Sequence, residues 1–202
     1  MRKTISLLAA ALLCAAAFAQ DSDLGSWVSV QATGTHGKAY GFLRGEYRAN
    51  QNHRNTECRF LVLGGGYKVA PWLGADLDYE LWDIGGAYYH KAVGVLTGTL
   101  RTGSLSSSLR EKYELTFKPD GSRSSCLRSR IRTQYSLPGA FRPYLASELF
   151  AWSGWQRVLF YVGTEIALSE HSTIDLFYCY HIPNGSVPVS TLGLGYYFNF
   201  GF

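Results

Sequence analysis

Between Ser190 and Phe202 every second residue is large and apolar: Leu192, Leu194, Tyr196, Phe198, Phe200 and Phe202. The interleaved positions are Thr191, Gly193, Gly195, Tyr197, Asn199 and Gly201. Successive side chains on a β-strand point to opposite faces, so the segment reads as one long strand with a greasy face and a small or polar face. Something other than water has to cover the greasy face. A second sheet does this in a soluble sandwich, and lipid does it around a membrane barrel. A terminus built on alternating phenylalanines favours lipid, because the ends of soluble domains are usually polar and frayed.

The same period of two runs through the chain from Gly25 onward. Alternating segments fall at 26–33, 39–49, 57–69, 73–82, 88–101, 105–117, 125–137, 142–152, 156–167, 172–182 and 189–202, separated by turn residues such as Pro119-Asp120-Gly121 and Pro183-Asn184-Gly185. No stripe with the 3.6-residue helical period interrupts them. Single-chain bacterial barrels normally have an even number of strands, so the short first segment is the one to discount. The expected fold is all-β: a single closed antiparallel transmembrane β-barrel of about ten strands, within a range of roughly eight to twelve.

Charges assign the two faces. Arg128, Arg130 and Arg132 alternate with Leu127, Ile131 and Tyr135, and Arg110, Lys112 and Glu114 oppose Leu109, Tyr113, Leu115 and Phe117. Asp76, Asp78 and Glu80 oppose Leu77, Tyr79 and Leu81; Arg157 and Glu165 oppose Val158, Phe160, Val162 and Ile166; Asp175 opposes Ile174 and Leu176. A soluble sandwich would wear such charges outside. Large aromatics along nearly every apolar row, and mixed signs on the other, fit lipid outside and an ion-paired lumen better. The expected lumen network is Arg110, Lys112, Glu114, Arg128, Arg130, Arg132, Glu148, Arg157, Glu165 and Asp175. Glu114 and Glu148 are the partners for the arginine ladder; Asp76, Asp78, Glu80 and Glu165 are those for Arg110 and Lys112. Glu111 is out of phase, on the apolar row, and suggests a bulge or a position near the membrane edge. Trp72 and Trp82 stand about 33 Å apart along one strand, the spacing of two interfacial girdles, but both share the carboxylate face and are placed at the rims.

The first residues read as an address. Arg2 and Lys3, the apolar run Ile5 to Ala17, and Ala17-Phe18-Ala19 form a secretory signal peptide over residues 1–19, leaving residues 20–202 as one outer-membrane barrel domain. Removing it leaves 17 basic against 15 acidic residues, a balance that gives no case for nucleic-acid binding. Cys58, Cys126 and Cys179 then remain. Their spacing matches no zinc pattern, and one disulfide between two of them is open in an oxidising compartment without the sequence choosing the pair.

Two resemblances follow from these residues. The closing segment resembles the last strand of bacterial outer-membrane β-barrels, which implies that the barrel assembly machinery reads Tyr196, Phe198, Phe200 and Phe202 as its signal. The order Arg128-Ser129-Arg130-Ile131-Arg132-Thr133-Gln134-Tyr135, Pro143-Tyr144 through Glu148 to Phe150, Trp155-Gln156-Arg157 with Glu165, and Asp175-Leu176-Phe177-Tyr178 resembles an uncharacterised family of exported bacterial β-barrels, a domain of unknown function. The likeness is specific over residues 126–180 and loose before Tyr89. It implies an outer-membrane barrel and no particular activity. Phe177 and Cys179 depart from that family's usual strand ending and bear on packing.

No residue set carries chemistry. Tyr180-His181-Ile182-Pro183-Asn184 faintly resembles the end of a lipid A deacylase motif, but Pro183 stands where the serine nucleophile belongs. Asp175 is in phase with His181 but about 20 Å away along the strand. His36, His53, His90 and His171 lack metal spacing, and Gly64-Gly65-Gly66 lacks the helix and lysine of a phosphate loop, which leaves close packing or a bend as its role. No metal or cofactor is expected. The expected partners are outer-membrane lipid, the assembly machinery and an envelope partner reached through loops. The expected role is a structural or binding barrel with a largely plugged lumen; the alternative is a small-solute pore or an acyl-hydrolase type of enzyme.

Overall fold

The alternation folds as it reads. In a computed structural model, which describes residues 24–50, 55–152 and 154–201, the chain forms strands β1 (Leu24–His36), β2 (Ala39–Asn50), β3 (Asn55–Ala70), β4 (Leu73–Ile84), β5 (Ala87–Thr102) and β6 (Leu105–Phe117). They continue as β7 (Arg123–Tyr135), β8 (Phe141–Ala151), β9 (Trp155–Ala167), β10 (Ser172–Pro183) and β11 (Val189–Gly201). Each strand pairs antiparallel with the next, and β1 closes the barrel against β11. Residues 1–19, expected from the sequence as a signal peptide, and Phe202 lie outside the described residues.

The strand count is eleven among the described residues, inside the expected range and one above the preferred ten. The discounted first segment is a wall strand. An odd number closes because β1 and β11 run parallel, with Leu24 opposite Ser190 and Thr35 opposite Gly201, so the barrel is antiparallel everywhere except this seam. Parallel closure also puts Leu24 and Gly201 at opposite rims. Tight hairpins set the remaining registers. Between β4 and β5 the two linking residues are Gly85 and Gly86, with φ of 60° and 87°, the positive values that a two-residue turn requires at both positions.

A closed sheet has one outside and one inside, and the two are chemically opposite. Outward positions carry exposed Val28, Leu63, Leu77, Leu145, Leu176 and Leu194, with Leu77 at 77% and Leu63 at 62% exposure. Aromatic side chains are exposed toward both ends: Tyr47, Tyr88, Trp152 and Trp155 near one rim, Tyr67, Trp72, Tyr135, Phe141 and Phe198 near the other. Both tryptophans placed at rims by sequence are close to strand ends, Trp72 exposed in the β3–β4 turn and Trp82 two residues from the end of β4. Trp82 is buried inside, stacked on Phe60 at 4.1 Å and donating its indole N–H to Glu80 at 2.6 Å.

Inward glycines let neighbours cross the wall. Tyr40 on β2 lies over Gly66 on β3 and hydrogen-bonds Asp76 on β4, in one directly opposed row. A Cβ at Gly64 or Gly66 would run into Phe42, Tyr40 and the two carboxylates beyond, so the Gly64-Gly65-Gly66 run makes room for packing. Gly163 does the same on β9. Tyr144 from β8 passes over it to donate to Asp175 on β10 at 3.0 Å.

Candidate functional site

The inner wall at mid-barrel is a connected set of charges. Lys112 on β6 bridges Glu80 on β4 at 2.7 Å and Glu114 at 3.1 Å. Glu114 also receives Lys91 from β5 at 3.1 Å and Arg128 from β7 at 2.6 Å. Arg128 reaches on to Glu148 on β8 at 2.9 Å, where Arg110 from β6 binds at 2.8 Å and the Tyr161 hydroxyl of β9 donates at 3.1 Å. One network therefore ties six neighbouring strands, β4 to β9. Its carboxylates are dry: Glu80 is 0% exposed, Glu148 1% and Glu114 4%, with Lys112 at 6%. Burying an ion costs several kcal/mol unless partners and hydrogen bonds answer it, and here every carboxylate has at least two donors.

The expected residues divide into three groups. Arg110, Lys112, Glu114, Arg128 and Glu148 belong to that network. Arg132 and Glu165 form their own pair at 2.6 Å, with Gln134 donating to the same carboxylate at 2.8 Å. Arg130, Arg157 and Asp175 are inward but stand outside both. Asp175 is held by Tyr144, whereas Arg130 and Arg157 form no ion pair among the described residues. Aromatic faces take the place of carboxylates there: Arg130 lies over Tyr161 at 5.0 Å and Arg157 over Phe150 at 4.1 Å. Arg128 and Arg132 stack as well, on Phe150 and Tyr144. A ring quadrupole attracts a guanidinium without demanding a second buried charge.

Sequence reasoning missed Lys91, Tyr161 and Trp82 as members of the network. Lys91 faces the carboxylate side of β5, but its reach to Glu114 is diagonal, because Glu114 stands directly opposite Val93. Adjoining this network at Trp82, Arg48 pairs with Glu46 at 2.7 Å and caps Trp27 at 4.0 Å, with Phe60 and Trp82 at 5.1 and 5.4 Å. His181 faces inward beside Trp27, ring centroids 5.1 Å apart, with the Thr191 hydroxyl 3.3 Å from its Nε2. Cys58, Cys126 and Cys179 also sit on inward positions and are all free thiols, so the open disulfide does not form.

Glu111 corrects the sequence reading. It is neither in a bulge nor at an edge: the register runs unbroken through it, opposite Leu96 on β5 and Ser129 on β7, at the middle of β6.

A closed barrel with an apolar outer face and a dry, ion-paired interior defines the class. Residues 24–189 match a family described as a protein of unknown function, DUF2490, and the chain belongs to that family. Among solved structures, the NanC porin in a rhombohedral crystal form superposes with a TM-score of 0.50 at 14% identity, covering 81% of this chain and 93% of that one. That likeness is one of fold. No curated protein matches the chain.

Proposed function

We propose that the mature chain spans the bacterial outer membrane as a barrel whose lumen is closed by its own side chains, serving as a structural or binding element of the envelope rather than as an open pore. The observation that carries this is the exposure of the inner wall. A water-filled channel leaves lumen side chains wet, whereas Glu80, Glu114, Glu148 and Lys112 at mid-barrel are almost wholly buried. The outer face supports the location: leucines and valines occupy the middle of the wall, and aromatic residues stand near both ends, as in membrane barrels with interfacial girdles. Export by a cleaved signal over residues 1–19 would bring the chain to the periplasmic side of that membrane.

Tyr196, Phe198 and Phe200 are outward rungs at the end of β11, and with Phe202 they are the surface offered to the assembly machinery. Phe198 and Phe200 lie 6.0 Å apart between ring centroids and form a continuous aromatic edge. Replacing both by serine is expected to lower the assembled amount in cells far more than Asn199→Ser on the inner face. Equal assembly of the two variants would refute a terminal signal.

Location is tested by fractionation. The folded protein is expected in the outer membrane, extractable only with detergent and migrating faster on an unboiled gel than after boiling. Recovery as a soluble periplasmic monomer would overturn the proposal. Shared architecture with a porin does not by itself favour conduction, since one fold hosts many functions.

A further inference from the structure

Glu111 is a carboxylate at mid-strand on the outward, mainly apolar face. It lies about 20 Å along the strand from either end of β6, roughly 15 Å of height after tilt, and so at the level of the bilayer centre in the membrane reading on which this inference rests. Ser129 donates to it at 2.6 Å. One hydroxyl leaves most of a carboxylate's acceptor capacity unused. The neighbouring outward positions are polar too: Ser107 and Thr133 have hydroxyls 3.1 Å apart, and Ser147 follows on β8. Elsewhere the polar groups on the outer face stand near strand ends, as with the Arg59–Asp83 pair on β3 and β4 and Ser172 on β10, whereas this row reaches mid-strand. At comparable outward positions the far wall carries Val28, Val30 and Leu194.

Beside the polar row lies a groove of about 690 Å³, floored by Gly65, Ala75 and Gly94 and edged by Leu77, Tyr113 and Glu111 itself. Polar groups facing lipid are costly, and small residues allow another protein surface to approach closely. We propose that this face is the contact of a homodimer in the membrane, in which Glu111 of each copy accepts a hydrogen bond from a serine hydroxyl at the same level of the other, Ser129 exchanging its bond to its own Glu111 for one across the interface.

A second copy is the occupant that fits. A two-fold axis parallel to the barrel axis keeps every residue at its own height, so the polar row of one barrel meets the same row of its partner. The row carries both halves of the chemistry, with Glu111 accepting and the Ser129 and Ser147 hydroxyls donating, while Ser107 and Thr133, about 13 Å along the strand, meet their own counterparts. An acyl chain has no donor to offer, and a lipid headgroup stays near the rims.

The test uses purified, full-length mature protein reconstituted in phosphatidylcholine–phosphatidylglycerol vesicles and, in parallel, in detergent. Sedimentation should give a mass of two chains, and Glu111→Leu should weaken association at least tenfold while keeping the heat-dependent gel shift of a folded barrel. In vesicles, Ser129→Cys should join two copies by a disulfide under mild oxidation, and Leu194→Cys on the opposite wall should not. A monomeric unmodified protein in both media, undiminished association of Glu111→Leu, or equal cross-linking of the Ser129→Cys and Leu194→Cys variants would each overturn the dimer. Failure of the membrane reading looks different: the protein would not enter vesicles at all.

Discussion

Replacing Glu148 by glutamine isolates what the lumen network contributes, because the substitution removes charge and keeps shape. Glu148 accepts from Arg110, Arg128 and Tyr161. Breaking a buried pair by removing one partner costs about 3–5 kcal/mol. Two features place this case at the lower end. The Arg110 side chain is 29% exposed and keeps part of its hydration, and Arg128 retains Glu114 at 2.6 Å. The glutamine carbonyl also still accepts. The expected loss is therefore about 3 kcal/mol.

Arg130→Met is the contrasting change. Arg130 stands directly opposite Glu148 on β8 and Arg110 on β6, yet its guanidinium rests on Tyr161 and the carboxylate is taken by others. Losing one cation–π contact costs about 0.5–2 kcal/mol, and relief of repulsion from Arg110 offsets part of it, so the net change should stay within about 1 kcal/mol. Both values come from the shift in urea midpoint of the folded barrel in lipid vesicles, read by the fluorescence of buried Trp27 and Trp82. An Arg130→Met loss equal to that of Glu148→Gln, or a Glu148→Gln loss below about 1 kcal/mol, would refute the pairing described above.

Two further outcomes follow from the wall. Gly163→Ala sets a Cβ 2.6 Å from the Tyr144 ring and 2.8 Å from the Leu176 carbonyl, so it should cost about 1–3 kcal/mol in the same unfolding assay, whereas Gly45→Ala meets nothing within 4 Å and should be close to neutral. At the seam, Val28→Cys with Leu194→Cys in one chain should form an internal disulfide on oxidation, because the two residues face each other in the parallel register; Val28→Cys with Phe200→Cys, displaced by about 20 Å, should not.

Face assignment was legible in the sequence because a period of two is a local property. Arg128, Arg130 and Arg132 had to share a side with one another, as did Leu192 through Phe200, whatever the rest of the chain did. Pairing was not legible, because it depends on register and reach between strands. Arg110 finds Glu148 two strands away, and Arg130, directly opposite that carboxylate, does not. Tyr40 and Tyr144 reach across a whole strand only because Gly66 and Gly163 leave a gap, a relation that joins residues tens of positions apart. The eleventh strand was visible as a segment but conflicted with an even count, and only the parallel β1–β11 pairing resolves the conflict. Glu111 was visible as an exception to the alternation. Its depth needed the unbroken register on both sides.

The central claim, that the lumen is closed by its own side chains, is met most directly by electrical recording. The purified, folded protein is inserted into a planar bilayer and current is followed at steady voltage. An interior in which Glu80, Glu114, Glu148 and Lys112 are buried in mutual contact predicts no current above that of the protein-free membrane. Reproducible, uniform single-channel steps from the unmodified protein would contradict a closed lumen and establish a pore.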